Sequence, residues 1–201
     1  ISECNFEMLT RKHNTSKMSQ IDDLTKIVSF GFRGEALSSI CALSKLIIHT
    51  RHKDDQLGTQ LHFDSEGQII KRELIARQVG TTVIVTDLFH CLPVRRKEFI
   101  NNYMREFNKL IKVITSYCLG CIGMRIVCTN SYGANKQTFL SSFGLTLKGN
   151  ITDVFGNKQL DSLIEFKQID NEKFGINNDD LIIKGFISKC DSSFGRSKSD
   201  R

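Results

Sequence analysis

The feature that most constrains this fold is a long amphipathic segment after Pro93. Its apolar side chains recur about every 3.6 residues from Phe99 to Cys121, as expected for a helix with one buried face. We therefore predict a long helix over 97–121, closed by Gly120 and Gly123. Burying most of these side chains would contribute about 15–25 kcal/mol before conformational entropy is subtracted.

Runs that are rich in β-branched residues, with turn residues between them, predict several strands. They lie at 45–51, at 59–74 as a hairpin that turns near Ser65 to Gly67, and at 80–89, 124–130, 137–143 and 181–190. Two further helices are predicted at 35–44 and at 150–166, the second opening near Thr152 and Asp153. Helices and strands are interspersed, so the expected fold class is α+β or mixed α/β.

The length of 201 residues suits one large domain or two smaller ones, and 40% hydrophobic residues allow a sizeable core. No apolar run approaches the ~18–20 residues of a membrane helix, so no membrane partner is expected. The chain begins with Ile and lacks a signal-peptide pattern, which we interpret as a piece of something longer. A change of pattern near 144–149 predicts a boundary between residues 1–147 and 148–201.

The formal charge of +6 favours anionic partners such as nucleic acid. Two basic groups are candidates for sequence-independent contacts with the DNA backbone: Arg95, Arg96 and Lys97 at the start of the long helix, and Arg196, Lys198 and Arg201 in the tail. Cations at a helix start oppose the helix dipole, which suggests a compensating phosphate or acidic neighbour. A solvated helix end is the alternative interpretation.

The chain has seven cysteines, an odd number that favours reduced thiols. Cys118-x-x-Cys121 has the spacing of half a metal site, but no second pair and no nearby histidine accompany it. Both thiols fall on the apolar stripe of the predicted helix. We therefore predict buried structural thiols here and no metal site.

A glycine loop, "GFRGEAL" at 31–37, stands directly before the predicted helix at 35–44. Gly31 and Gly34 would let an anion approach the backbone, and the amides of Glu35, Ala36 and Leu37 are candidate phosphate donors at the helix start. Arg33 adds a planar, charged donor set. The alternative is an ordinary turn before a helix, with Arg33 solvated.

Four stretches occur in an order that resembles the MutL family of DNA mismatch-repair ATPases, most closely its eukaryotic PMS-type subunits. They are "TSK" at 15–17, "GFRGEALSSI" at 31–40, "GTTVIVTDLF" at 80–89 and "LPVRRKEF" at 92–99. This resemblance implies a GHKL-type ATPase sandwich with a mobile lid for residues 1–147. It also implies that residues 148–201 begin a second domain like that of ribosomal protein S5.

The resemblance implies an ATP site, with Mg²⁺ as the accompanying metal. Gly31, Arg33, Gly34, Glu35, Ala36 and Leu37 would wrap the triphosphate, Thr15, Ser16 and Lys17 would lie in the same lid, and Thr82 would face the adenine side. The family's general-base Glu, its Mg-binding Asn and its Asp-Asn-Gly-x-Gly stretch have no counterpart in these residues. We therefore expect no catalytic residue here, and an ATPase activity that belongs to a longer parent protein.

The resemblance also implies a biological setting: a nuclear protein that closes as an ATP-dependent clamp on DNA. Its partners would be a second MutL-type subunit in a heterodimer and MutS-type proteins. Two alternatives remain open. The chain could be a nucleic-acid-binding module that uses Gly-x-x-Gly without nucleotide chemistry, or a GHKL chaperone or topoisomerase ATPase.

Overall fold

The computed structural model describes residues 1–18, 20–27, 30–31, 33–167 and 183–190. The chain divides into two compact units, Ile1–Tyr103 and Met104–Arg201. Within the described residues, no helix combines the length and the apolar character needed to cross a membrane. The domain boundary predicted near residue 147 stays a prediction.

The first unit is built on a four-stranded antiparallel sheet with the order β3-β2-β1-β4. Its strands are β1 (Lys45–Arg51), β2 (Gly58–Phe63), β3 (Ile69–Ile75) and β4 (Gly80–Thr86). Its helices are 3-10 helices at Glu3–Met8 and Ile21–Lys26, α1 (Ala36–Leu43) and α2 (Pro93–Asn101). The helix predicted at 35–44, the strand at 45–51 and the hairpin are confirmed.

The turn between β2 and β3 follows from its local sequence. The Asp64 carboxylate accepts hydrogen bonds from the amides of Glu66 (2.9 Å) and Gln68 (2.8 Å). Gly67 follows with φ +83°, and a Cβ there would come within 2.9 Å of the Thr10 carbonyl oxygen. The Thr10 hydroxyl donates to the Gly67 carbonyl at 2.6 Å, which fastens the amino-terminal segment to this turn.

The core of the first unit lies on one face of the sheet. Alternate residues of β1 and β2 point to this face, as the two-residue period of a strand requires. They meet residues from α1 and from the first 3-10 helix. The buried cluster consists of Phe6, Cys41, Leu46, Ile48, Leu61 and Phe63.

Cys41, on α1, is fully enclosed in this cluster. Burial raises the pKa of its thiol to about 11, and the negative charge of Asp64 adds to the rise. A rise of two units lowers the reactive thiolate fraction about a hundredfold near neutral pH. We expect iodoacetamide to label the exposed Cys4 and Cys91 long before Cys41, as read by peptide mass spectrometry. Labelling in denaturant is the control, and equal native rates at all three sites would contradict the burial.

The second unit carries two antiparallel strand pairs and three helices in its described residues. In chain order the elements are α3 (Tyr103–Gly120), β5 (Ile126–Tyr132), β6 (Asn135–Ser142), α4 (Leu147–Phe155), α5 (Asn157–Asp161), β7 (Leu163–Lys167) and β8 (Lys184–Ser188). β5 pairs with β6, and β7 pairs with β8. Phe107 of α3 packs edge-to-face on Phe139 of β6, with ring centroids 5.0 Å apart.

The prediction of one unbroken helix over 97–121 was wrong, because α2 and α3 separate at Asn102. Asn102 has φ −111° and ψ 19°, and its side-chain amide donates to the Glu98 carbonyl at 2.9 Å. The Asn102 backbone amide donates to the same carbonyl at 3.0 Å, so the break lies in the non-helical backbone angles of this residue and not in a lost hydrogen bond. The apolar period continues across the break, so periodicity alone does not reveal it.

The helix predicted at 150–166 was wrong at both ends. It begins earlier, at Leu147, where the Thr146 hydroxyl caps the helix by accepting from the Gly149 amide at 2.9 Å. Gly156, with φ +83°, separates α4 from α5. The apolar run after Ser162 is strand β7, because pairing with a strand more than a dozen residues away outweighs local propensity.

Candidate functional site

A cavity of about 450 Å³ lies in the first unit, just before α1. Its wall is formed by Leu9 and by residues 14–17, 30–31 and 33–37. The structure thus brings the segment containing Thr15, Ser16 and Lys17 against the glycine loop and the head of α1. The first segment ends at Lys17 and the second begins at Phe30. The two segments meet at the cavity.

Gly34 is required by its contacts as well as by its backbone angle. Its φ is +65°, a region that non-glycine residues adopt only at a cost. A Cβ on Gly34 would lie 2.1 Å from the carbonyl oxygen of Asn14 and 2.8 Å from its nitrogen. The glycine therefore lets the two walls of the cavity touch backbone to backbone.

Gly31 and Lys17 form a second point of contact between the two walls. The Lys17 ammonium donates to the carbonyl of Phe30, and a Cβ on Gly31 would lie 3.6 Å from that ammonium. Gly31 has φ +80°. The lysine thereby places a positive charge at the cavity and holds the two segments together.

The head of α1 borders the cavity through Glu35, Ala36 and Leu37. Glu35 is the N-cap residue, and its side chain makes no capping hydrogen bond. The first amides of a helix have no partner within the helix, and they carry about half a unit of positive charge together. This end of α1 therefore offers donors and a favourable field to an anion.

Glu35 instead directs its carboxylate to an arginine and a histidine. Its Oε2 lies 3.1 Å from Arg33 Nε, and its Oε1 lies 3.3 Å from His13 Nδ1. Arg33 and His13 are mostly exposed, whereas the Glu35 side chain is 33% exposed. The cavity therefore combines Lys17 and Arg33 with one carboxylate, which is Glu35 among the described lining residues.

Thr82 lies elsewhere in the first unit. It is on β4 opposite His49 of β1, and its hydroxyl accepts from Arg77 Nη2 at 3.4 Å. It is not among the described residues that line the cavity. Its assignment to the adenine side stays a prediction.

Four residues that the sequence did not assign to the site belong to it by geometry. Leu9, Asn14 and Phe30 line the cavity, and His13 contacts Glu35. The sequence held one signal, since "HNTSK" is rich in turn formers. Such a signal predicts a turn but does not show which other segment the turn contacts.

The basic group at the start of α2 finds partners within the chain. Pro93 occupies the first turn, Arg95 stacks over the Phe89 ring at 4.7 Å, and Arg96 Nη2 lies 3.7 Å from Asp87 Oδ1. A hydrogen bond from Lys45 lowers the pKa of Asp87 below its usual value. An acidic neighbour therefore compensates the cations at this helix start, while Lys97 is exposed.

The DNA-binding roles of Arg95, Arg96 and Lys97 stay predictions. The second predicted basic group, Arg196, Lys198 and Arg201, lies outside the described residues. Its predicted role is therefore also carried forward only as a prediction.

Cys118 lies in α3, Cys121 directly follows that helix, and the two thiols differ in exposure. Cys118 is fully buried and Cys121 is half-buried, and both are reduced. Across the described part of the chain, no group of three or more His, Cys, Asp or Glu side chains could hold a metal ion.

Comparison with curated proteins finds relatives that align with the whole chain. It is 47% identical to the mismatch repair endonuclease PMS2 of Gallus gallus and 42% identical to the DNA mismatch repair protein PMS1 of Arabidopsis thaliana, each alignment covering 100% of this chain. The chain spans 24% and 21% of the lengths of those relatives. No family model matches the chain.

Solved structures with the same fold agree with the sequence relatives. The N-terminal domain of a DNA repair protein matches with a TM-score of 0.80 and 34% identity, covering 100% of this chain and 59% of that one. The Aquifex aeolicus MutL ATPase domain complexed with ADP matches with a TM-score of 0.57 and 29% identity, covering 75% and 56%. The predicted α+β class and MutL-type ATPase fold are confirmed, and so is the resemblance to the MutL family, because these 201 residues align over their full length with PMS-type mismatch-repair proteins.

Proposed function

We propose that this chain is part of the ATP-binding region of a DNA mismatch-repair protein. The observation that carries the proposal is the cavity at the head of α1, where two cations and uncapped helix amides meet two positive-φ glycines. Support also comes from the ADP complex of the MutL ATPase domain, whose fold this chain shares. The alternative, a nucleic-acid-binding module that uses Gly-x-x-Gly without nucleotide chemistry, has no such support from the relatives named above.

The side chains and amides that line the cavity suit the phosphates of a nucleoside triphosphate. Under this proposal the amides of Ala36 and Leu37 donate to phosphate oxygens, as helix starts commonly do. Arg33 supplies a charged, planar donor set, and Lys17 supplies a point charge. Thr15 and Ser16 add hydroxyl groups on the opposite wall. Gly31 and Gly34 let the phosphates approach the backbone.

Hydrolysis and the metal belong to the wider protein under this proposal. A Mg²⁺ ion would supply charge neutralisation to the triphosphate when bound. The described residues provide no cluster of ligands that fits it, and we assign none of them to the metal. The expectation that these 201 residues alone do not hydrolyse ATP stays a prediction.

The setting proposed for the whole protein follows from its resemblance to the MutL family. It would be a nuclear heterodimer subunit that acts with MutS-type proteins and closes on DNA when ATP binds. The net charge of +6 supports a contact with the DNA backbone. Arg95, Arg96 and Lys97 are the described candidates for this contact, together with Arg196, Lys198 and Arg201.

A nucleotide titration tests the proposal. We expect the full-length protein to bind a fluorescent ATP analogue in the presence of Mg²⁺, and Arg33→Ala to weaken binding about 10- to 100-fold. The reason is the loss of one charge-assisted interaction worth about 1.5–3 kcal/mol. Equilibrium fluorescence anisotropy measures both affinities.

Arg125→Ala is the matched control, because Arg125 stacks over Phe143 in the second unit and does not line the cavity. It should leave the affinity unchanged. Wild-type protein that binds no nucleotide would overturn the proposal and favour the nucleotide-free module.

A further inference from the structure

The ion pairs at the head of α1 pose a problem for phosphate binding. Arg33, the strongest candidate donor of the cavity, already has a partner in Glu35, with 3.1 Å between Nε and Oε2. The Glu35 carboxylate also lies at the end of α1 that favours anions. A phosphate that enters the cavity therefore meets a negative charge that holds one of its donors.

The other contacts of Glu35 keep its carboxylate at this place. His13 precedes the wall residue Asn14 in the chain, and its Nδ1 lies 3.3 Å from Glu35 Oε1. The Glu35 carbonyl accepts from the Ser38 hydroxyl at 2.9 Å and from the Ser39 amide at 3.0 Å, which fixes its backbone at the start of α1. Among the described lining residues, no other carboxylate faces the phosphate donors.

We propose that the Glu35 side chain is an internal competitor for the phosphates of the nucleotide. Without nucleotide it neutralises Arg33 and, with His13, joins the glycine loop to the segment before it. When phosphates bind, Arg33 exchanges the Glu35 carboxylate for a phosphate oxygen. The contact between Glu35 and His13 is then no longer held in place by Arg33. Glu35 is thus a positioning residue that sets both the affinity and the arrangement of the loop. This inference rests on the proposed function.

The exchange predicts a gain of affinity from removing the charge. We expect Glu35→Gln in the full-length protein to bind ATP about two- to fivefold more tightly, since half-exposed ion pairs are weak. The gain should be larger for ATP than for AMP, because it depends on phosphate charge, and it should shrink as salt rises. A purely structural role would change ATP and AMP binding equally.

Glu3→Gln is the matched control. Glu3 pairs with Arg72 at 2.7 Å in the same unit, so the substitution also removes one carboxylate from an arginine, but Glu3 does not line the cavity. It should leave ATP affinity unchanged. Isothermal titration with ATP and AMP at two salt concentrations measures all variants.

A double variant tests whether the competition passes through Arg33. In an Arg33→Ala background, Glu35→Gln should give a smaller gain, because no guanidinium is left to release. Equal gains in both backgrounds, or ATP binding by Glu35→Gln that equals or falls below wild type, would overturn the inference alone. Wild-type protein that binds neither ATP nor AMP would overturn the proposed function and this inference together.

Discussion

Gly34→Ala is expected to abolish tight nucleotide binding, with a loss of affinity of at least about tenfold. A Cβ would lie 2.1 Å from the Asn14 carbonyl oxygen, so the two walls of the cavity cannot keep their contact. The positive φ adds about 1–2 kcal/mol of strain for any residue with a side chain. Anisotropy with a fluorescent ATP analogue measures the affinity, and thermal melting reports the accompanying loss of stability.

Gly133→Ala is the control that separates the effect of backbone strain at positive φ from the effect of losing the contact between Gly34 and Asn14. Gly133, between β5 and β6, has φ +58°, but a Cβ there would meet nothing within 4 Å. This control should show a modest loss of stability and unchanged nucleotide affinity. If Gly34→Ala melts and binds like Gly133→Ala, the contact between the walls has no role in binding.

Leu61→Ala is expected to destabilise the first unit by about 2–5 kcal/mol, the cost of emptying a well-packed core position. Leu61 has no exposed surface and lies at the centre of the cluster shared by β1, β2 and α1. A loss of this size is a large part of the 5–15 kcal/mol that typically stabilises a domain. Because the chain has no Trp, urea unfolding is followed best by far-ultraviolet circular dichroism.

Leu74→Ala provides the comparison on the neighbouring strand. Leu74 pairs with Thr59 across β2 and β3, but it is 67% exposed. Substitution there should change the stability by no more than about 0.5 kcal/mol. Equal destabilisation by the two variants would contradict the difference in burial between Leu61 and Leu74.

Elements whose signals are local were predictable from the sequence. Helix α1, strand β1 and the β2–β3 hairpin follow from the apolar period, from β-branched runs and from the Asp64 to Gly67 turn. The misjudged elements depend on contacts that a period does not encode. α2 ends at the non-helical backbone angles of Asn102, and β7 exists because it pairs with β8.

The features of the candidate site also divide into local ones, which the sequence predicts, and contacts between segments, which it does not. The sequence predicts the glycine loop, the helix start and Arg33, because backbone freedom and donor chemistry are local properties. It does not predict that Gly34 contacts the Asn14 backbone, or that Glu35 binds both Arg33 and His13. These are relations between segments, and only the folded chain contains them.

The position of β4 has a consequence for handling the chain. Within the described residues, β4 pairs with β1 alone and so forms one border of the sheet, and its sequence, GTTVIVT, carries no charge and no proline. Its Val83 and Val85 are also exposed. Such a border is a template for another molecule, and natural proteins usually protect it with a lysine, a proline or a covering element. We therefore expect preparations of these residues alone to be prone to self-association through β4, and a lysine on its outward face to reduce it.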